Sequence, residues 1–251
     1  MALPFTKPTV EIAPKRLRVL FGGKYIVDTR RPRLIWEKPY YPTYFVENPV
    51  ISKEYLKPSE GTAEEQDASN GTVFDVVVGD KVAKSAAVQY GNDAGHLSGL
   101  TKLTFGAMDA WFEEDEQIFV HPKDPYKRVD VLQSSRHVRV AVDGIELANT
   151  RKPVLLFETG LPVRTYIPKT DCRMDLLVPS ELTTECPYKG VASYYSVNMP
   201  ESSRLIENIV WWYRSPLPEC GGIKGFVAFY DEKVDFWIDD QKQARPQTHW
   251  S

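Results

Sequence analysis

The sequence predicts an all-β protein built from two tandem small domains with a few short helical turns. Three observations lead there. The chain is written twice. Each copy breaks into short runs rich in aromatic and β-branched residues, punctuated by proline and glycine. No segment longer than about ten residues carries a helical period.

The repeat is legible without a gap. "LRVLFGGKYIVDTRRPRLIWE" from Leu17 lies over "VRVAVDGIELANTRKPVLLFE" from Val138, so that Arg18 meets Arg139, 121 positions on. In the same register Gly23 meets Gly144, Thr29 meets Thr150, Pro32 meets Pro153 and Glu37 meets Glu158. "LKPSE" from Leu56 falls over "LVPSE" from Leu177. Further on, small gaps align "AAVQY" ending at Tyr90 with "IVWWY" ending at Tyr213, and "LTFGAMDAWFEED" with "VAFYDEKVDFWIDD". The expected layout is an N-terminal arm over 1–15, a first copy over 16–120, a linker over 121–135, a second copy over 136–241 and a tail over 242–251.

Taken in order, the second copy reads as follows. "RVAVDGIELAN" is two alternating segments about Asp143-Gly144, a hairpin signal. "VLLFE" is a buried strand and "TGLP" a turn. In Asp171–Leu176 charged and apolar residues alternate; as a strand this places Asp171, Arg173 and Asp175 on one face and Cys172 in the core. "ASYYSVNM", "ENIVWWY", "GFVAFY" and "VDFWID" are aromatic strands. In the first copy the acidic stretch "SEGTAEEQDASNG" reads as a flexible loop.

Composition narrows the function. A net charge of −3 over 251 residues supplies no basic face for nucleic acid. No apolar run approaches the roughly 18 residues of a membrane span, and the N-terminal stretch lacks an apolar secretory core. Three cysteines without a CxxC suit a reducing compartment, so the expected location is cytoplasmic. The four histidines have no metal-ligand spacing, and Gly-rich phosphate loops and GxSxG elbows are absent. The expectation is no metal, no cofactor, a small-molecule ligand or substrate, and no nucleic acid or membrane partner; a homodimer is left open.

The second copy also resembles a known family. The carriers are E-T-G-L-P, R-x-Y-I-P, P-S…T…C-P-Y-K-G, the Trp-Tyr strand and G-x-V-A-F-Y, across most of residues 136–241. This pattern is similar to the domain of unknown function 427 family. The first copy is a more degenerate relative. The resemblance implies a β-tent fold, in which two sheets pinned at one edge open onto a pocket. The zinc-binding CxxC pairs of many β-tent proteins are absent, so no structural zinc carries over.

The repeat serves as an internal control. Arg139, Gly144, Thr150, Arg151, Pro153 and Ser180 recur in both copies and read as structural. Glu158 recurs as Glu37, which favours a structural pair with a repeated arginine, although a carboxylate ending an apolar run also suits acid–base work. Arg164, Asp171, Arg173, Cys186, Tyr188 and Lys189 belong to the second copy alone. Arg164 and Arg173 suit a planar oxygen pair. Lys189 suits an anion or a proton, and Cys186, locked against Pro187, is either a thiolate tuned by Lys189 or part of a well-made turn. Tyr166, Tyr194, Trp211 and Tyr213 are the candidate aromatic wall, with core packing as the alternative.

The expected site is one principal pocket in the second copy, with Glu158, Lys189, Arg164, Asp171, Tyr188 and Cys186 as catalytic candidates. Arg173, Tyr166, Tyr194, Trp211 and Tyr213 would bind substrate. Such a set suits a cofactor-independent enzyme acting on a small carbonyl or acyl compound, such as a cyclase, lactone-forming or hydrolytic enzyme. The alternative is a non-catalytic binding module or a protein-interaction scaffold.

Overall fold

A computed structural model describes residues 10–37, 41–60, 71–199 and 204–248. It is all-β and divides into two compact units, residues 2–124 and 125–251. Residues 61–70 of the acidic insert of the first copy, and His249, lie outside the described residues.

The first half carries β1 (Val10–Ile12), β2 (Leu17–Phe21), β3 (Lys24–Thr29), β4 (Arg33–Ile35), β5 (Thr43–Glu47), β6 (Leu56–Pro58), β7 (Gly71–Val78), β8 (Lys81–Tyr90), β9 (Leu100–Leu103), β10 (Ala110–Glu113) and β11 (Glu116–Ile118). The second carries β12 (Val129–Gln133), β13 (Val138–Val142), β14 (Ile145–Thr150), β15 (Val154–Glu158), β16 (Arg164–Ile167), β17 (Leu177–Cys186), β18 (Gly190–Met199), β19 (Arg204–Tyr213), β20 (Val227–Phe229), β21 (Asp235–Ile238) and β22 (Gln241–Lys242). Among the described residues each half has one seven-stranded and one four-stranded sheet. The orders are β1-β4-β5-β9-β8-β7-β6 and β12-β15-β16-β20-β19-β18-β17 for the large sheets, and β3-β2-β10-β11 and β14-β13-β21-β22 for the small ones. The pairing within all four is antiparallel.

The duplication is therefore a duplication of topology, and it reaches further than the repeat read from sequence. Val129–Gln133 falls in the stretch expected as a linker, yet it pairs with the whole of β15. Val10–Ile12, in the expected arm, pairs with β4 in the same way. Both strands lie at a sheet edge and pair with a strand beyond the hairpin that follows them, and so escape a reading based on local pattern.

Alternation explains the layering. In the second half Val138, Val140 and Val142 of β13 meet Ile167, Val210, Val227 and Phe229 of the large sheet in one apolar core. The opposite face of the large sheet holds Leu156, Tyr166, Ala192, Tyr194, Trp211 and Tyr213, covered by Cys220 and Ile223 of the short helical turn Pro218–Ile223. The first half has the same two layers, with Phe45, Val73, Val88 and Tyr90 on the outer face.

Recurrent residues hold recurrent turns. Asp143 and Gly144 have φ of +49° and +82°, the two positive values of a type I′ hairpin, as Gly22 and Gly23 do at +56° and +75°. β8 and β19 each bulge at a residue of positive φ, Ser85 and Asn208. The repeated serine ties each bulge: Ser59 Oγ lies 2.9 Å from Ser85 Oγ, and Ser180 Oγ donates to Asn208 Oδ1 at 2.5 Å.

Candidate functional site

The strand expected over Asp171–Leu176 does not form. Two short helical turns, Lys169–Asp171 and Met174–Leu176, occupy it. Asp171 accepts a hydrogen bond from Thr150 Oγ1 at 2.6 Å, and Arg173 pairs with Asp175 at 2.6 Å on the exposed surface. Neither joins a site. Cys172 packs against the inner core, where burial, aided by Asp171, pushes its thiol up to about 12.

The remaining candidates converge on the outer face of the large sheet, in two charged clusters flanking an aromatic layer. The first cluster centres on Glu158. This carboxylate ends β15 at 5% side-chain exposure; Lys189 Nζ donates to its Oε2 at 2.5 Å and Lys127 Nζ lies 3.5 Å from its Oε1. Two cations supply the counter-charge that a buried carboxylate requires. Glu37 also pairs with a lysine, Lys102 at 2.8 Å. The expected pairing of these glutamates with a repeated arginine is thus replaced by lysines.

"CPYKG" is the turn that delivers Lys189. The β17–β18 hairpin closes through Lys189 N–H to Cys186 O at 3.3 Å, with Gly190 at φ +94° directly after it. Leu217 N–H donates to Lys189 O and Cys220 Sγ–H to Tyr188 O, which pins the turn beneath the 214–226 loop. The Tyr188 ring is buried, with Lys127 Nζ 5.5 Å from its centroid. Burial opposes the Lys189 charge, but Cys186 and Glu158 outweigh it and hold the ammonium above the ordinary lysine value. Lys189 is therefore a standing donor of charge and hydrogen bonds, not a base. Cys186 is half-buried, and burial pushes the neighbouring Cys220 thiol up to about 11.

The second cluster centres on Arg164, which is buried and meets Glu232 through two bonds of 2.9 and 2.7 Å; Asp231 lies 3.6 Å away. Thr248 of the tail donates to Glu232 at 2.7 Å. Burial, only partly offset by Arg164 and reinforced by Glu232, pushes the Asp231 carboxyl up to about 7. Arg164 is thus committed to protein carboxylates, contrary to the expected role as an oxyanion fork. Sequence reasoning missed Asp231, Glu232 and Lys127. The repeat control contained the signal for the first two, since the first copy has Phe105-Gly106 in the corresponding turn.

Between the clusters, Trp211 Nε1–H donates to Tyr166 OH at 3.1 Å, Trp211 packs 4.7 Å from Tyr230, and Thr184 and Tyr194 hydroxyls lie 2.8 Å apart. Burial drives the Tyr166 and Tyr213 phenols far above the ordinary value. They stay neutral, so neither serves as a tyrosinate base. Tyr166, Tyr194, Trp211 and Tyr213 are core residues of this layer.

Two clefts open near the repeated glutamates. In the second half a cleft of about 220 Å³ is lined by Glu158, Phe157, Arg128, Asp130 and Leu161, but not by Lys189, Arg164 or the aromatic layer. In the first half a larger one of about 300 Å³ is lined by Glu37, Lys102, Tyr41, Phe105, Trp111 and His121, among others. Of the expected site residues only Glu158 lines the second-half cleft, so the single pocket expected from sequence does not form around that set.

A family profile, NTP_transf_9, described as a domain of unknown function (DUF427), matches residues 9–114 and again residues 130–240. The chain belongs to the DUF427 family. Both halves match, and the second match starts at β12, not at the repeat read from sequence. No match is found among curated proteins. Among the described residues of this DUF427 chain no group of three His, Cys, Asp or Glu side chains is placed to hold a metal ion. Among the described residues no helix is long and apolar enough to cross a membrane.

Proposed function

We propose that the second half is an acid–base site for a small carbonyl or acyl compound, with Glu158 as the proton acceptor. The observation that carries this reading is that one buried carboxylate both lines a cleft and is flanked by two lysines. Carbon acids need a base on one side and charge stabilisation on the other. A proton leaves the carbon beside the carbonyl for Glu158, the C–H electron pair forms the enolate, and the developing oxyanion is met by the cations around that carboxylate. Lys189, held protonated, and Lys127 pair with Glu158 without lining the cleft, and Arg128 is the cation in its wall. Cyclisation, lactone formation and hydrolysis of activated acyl groups draw on the same elements. Three free cysteines support a reducing, cytoplasmic setting.

Binding without turnover is the second reading. It is favoured by the cleft's size, below the roughly 300 Å³ at which ligand pockets begin. Native mass spectrometry of the purified protein, wild type against Glu158→Gln, tests the site itself. A co-purified small molecule retained by wild type and lost or weakened in Glu158→Gln supports it. An identical ligand profile for both proteins removes Glu158 from any site.

A further inference from the structure

The first copy reads as the degenerate one, yet the larger described cleft belongs to it. We infer that this cleft is a second binding site, independent of the acid–base reading of the second half, and that its ligand is a small neutral planar ring carrying a hydrogen-bond donor beside an acceptor, as in an aromatic amide or lactam.

The walls supply the argument. Two parallel ring pairs border the cleft: Tyr41 with His121, centroids 4.2 Å apart at 14°, and Phe105 with Trp111, 4.8 Å apart at 7°. Each pair is locked. Trp111 Nε1–H donates to Phe105 O at 2.9 Å, and His121 Nδ1 lies 2.8 Å from Pro122 O. Rigid aromatic faces favour a flat ligand, since offset stacking rewards planar partners and the rings need no reordering.

The polar wall is the Glu37–Lys102 pair, and each partner's side chain is about 30% exposed, at 30% and 31%. It presents an acceptor beside a donor with no net charge. A carboxylate ligand gains Lys102 but meets Glu37, and an ammonium gains Glu37 but meets Lys102. A neutral group with N–H next to C=O satisfies both. In the second half the position of Lys102, opposite Phe45 in the sheet, is taken by Ala228, opposite Tyr166. The corresponding turn residues Asp231 and Glu232 there engage Arg164. The first-half cleft is thus a different site, not a weaker version of the other.

The test uses three probes of one shape on the full chain: benzamide, benzoate and benzylamine. The readout is the Trp111 indole N–H signal in ¹H–¹⁵N spectra, assigned by its disappearance in Trp111→Phe. Benzamide is expected to shift it saturably, with benzoate and benzylamine at least about tenfold weaker, as for a lost charge-assisted hydrogen bond. Lys102→Met is expected to weaken benzamide by a similar factor, and Glu37→Gln gives a second variant that keeps a polar wall should Lys102→Met fold poorly. No benzamide shift, an equal or larger response to either charged probe, or benzamide binding unchanged in the folded variants overturns the inference.

Discussion

Glu37 and Glu158 stand at the same point of the repeat, yet each takes its lysine from a different place: Lys102 on β9 in one half, Lys189 after β17 in the other. Position in a repeat therefore identified where a carboxylate would sit but not what would face it, because partners come across the sheet. The Lys189→Met change leaves Glu158 with Lys127 alone. The expected cost is about 3–5 kcal/mol, the usual penalty for stranding a buried charge, with much of it recovered in the double variant carrying Glu158→Gln. Urea titrations of the three proteins measure this. Asp231 makes a prediction of opposite sense. Its folded carboxyl titrates at about 7, above the unfolded value near 3.8, so the folded state binds the extra proton between those values. Its contribution is fully favourable below about pH 4, declines as pH rises to 7, and is flat above. The Asp231→Asn variant removes that loss. Relative to wild type it should gain on the order of 2–4 kcal/mol between pH 4.5 and pH 8. A difference that does not change with pH contradicts the burial of an ionised Asp231.

At the scale of elements, the hairpins and aromatic strands were legible because their signals are local. Asp143-Gly144 sits where its positive φ values require, and the stretch 210–213 alternates faces as a strand must, past the bulge at Asn208. The failures were non-local. β12 reads as linker because its pattern, "VDVLQ", carries meaning only beside β15. Asp171–Leu176 alternates like a strand, but backbone hydrogen bonds fold it into two turns. Trp111 and Trp237, one on β10 and one on β21, are not counterparts. Trp111 lies opposite Val19 and points inward, whereas Trp237 lies opposite Arg139 and stacks under it; Phe112, opposite Arg18, is its true counterpart. A one-residue slip exchanges the faces of a strand, and sequence identity alone does not detect it. The place of β12 can be checked at Gly222, where an added Cβ would stand 2.9 Å from Val131 Cγ1. Gly222→Ala should lower the melting temperature of the second half, and Val131→Ala in the same chain should restore part of it. No effect of Gly222→Ala contradicts the packing of the 218–223 turn on β12.

At the scale of the whole molecule, the two halves share a topology and differ in chemistry. The sequence disclosed the duplication and the all-β class. It did not disclose that Arg164 is bound by Asp231 and Glu232, since those acids lie far along the chain and reach it only through β16 and β20 pairing. Nor did it show that the first copy keeps a cleft, because that cleft is made by rings on separate strands and turns. A chain of residues 125–251, which retains β12, should melt cooperatively with a β spectrum, whereas one beginning at residue 136 should lose cooperativity.

The central claim, that Glu158 accepts a proton from carbon, is tested most directly by solvent deuterium incorporation. Small enolisable carbonyl probes, acetylacetone and 2-oxobutyrate, would be incubated with the protein in deuterated buffer and followed by proton NMR. The account predicts exchange of the hydrogens beside the carbonyl faster than in buffer, abolished in Glu158→Gln and reduced in Lys189→Met while both variants remain folded. Exchange at the buffer rate with wild type, or exchange undiminished in Glu158→Gln, contradicts it.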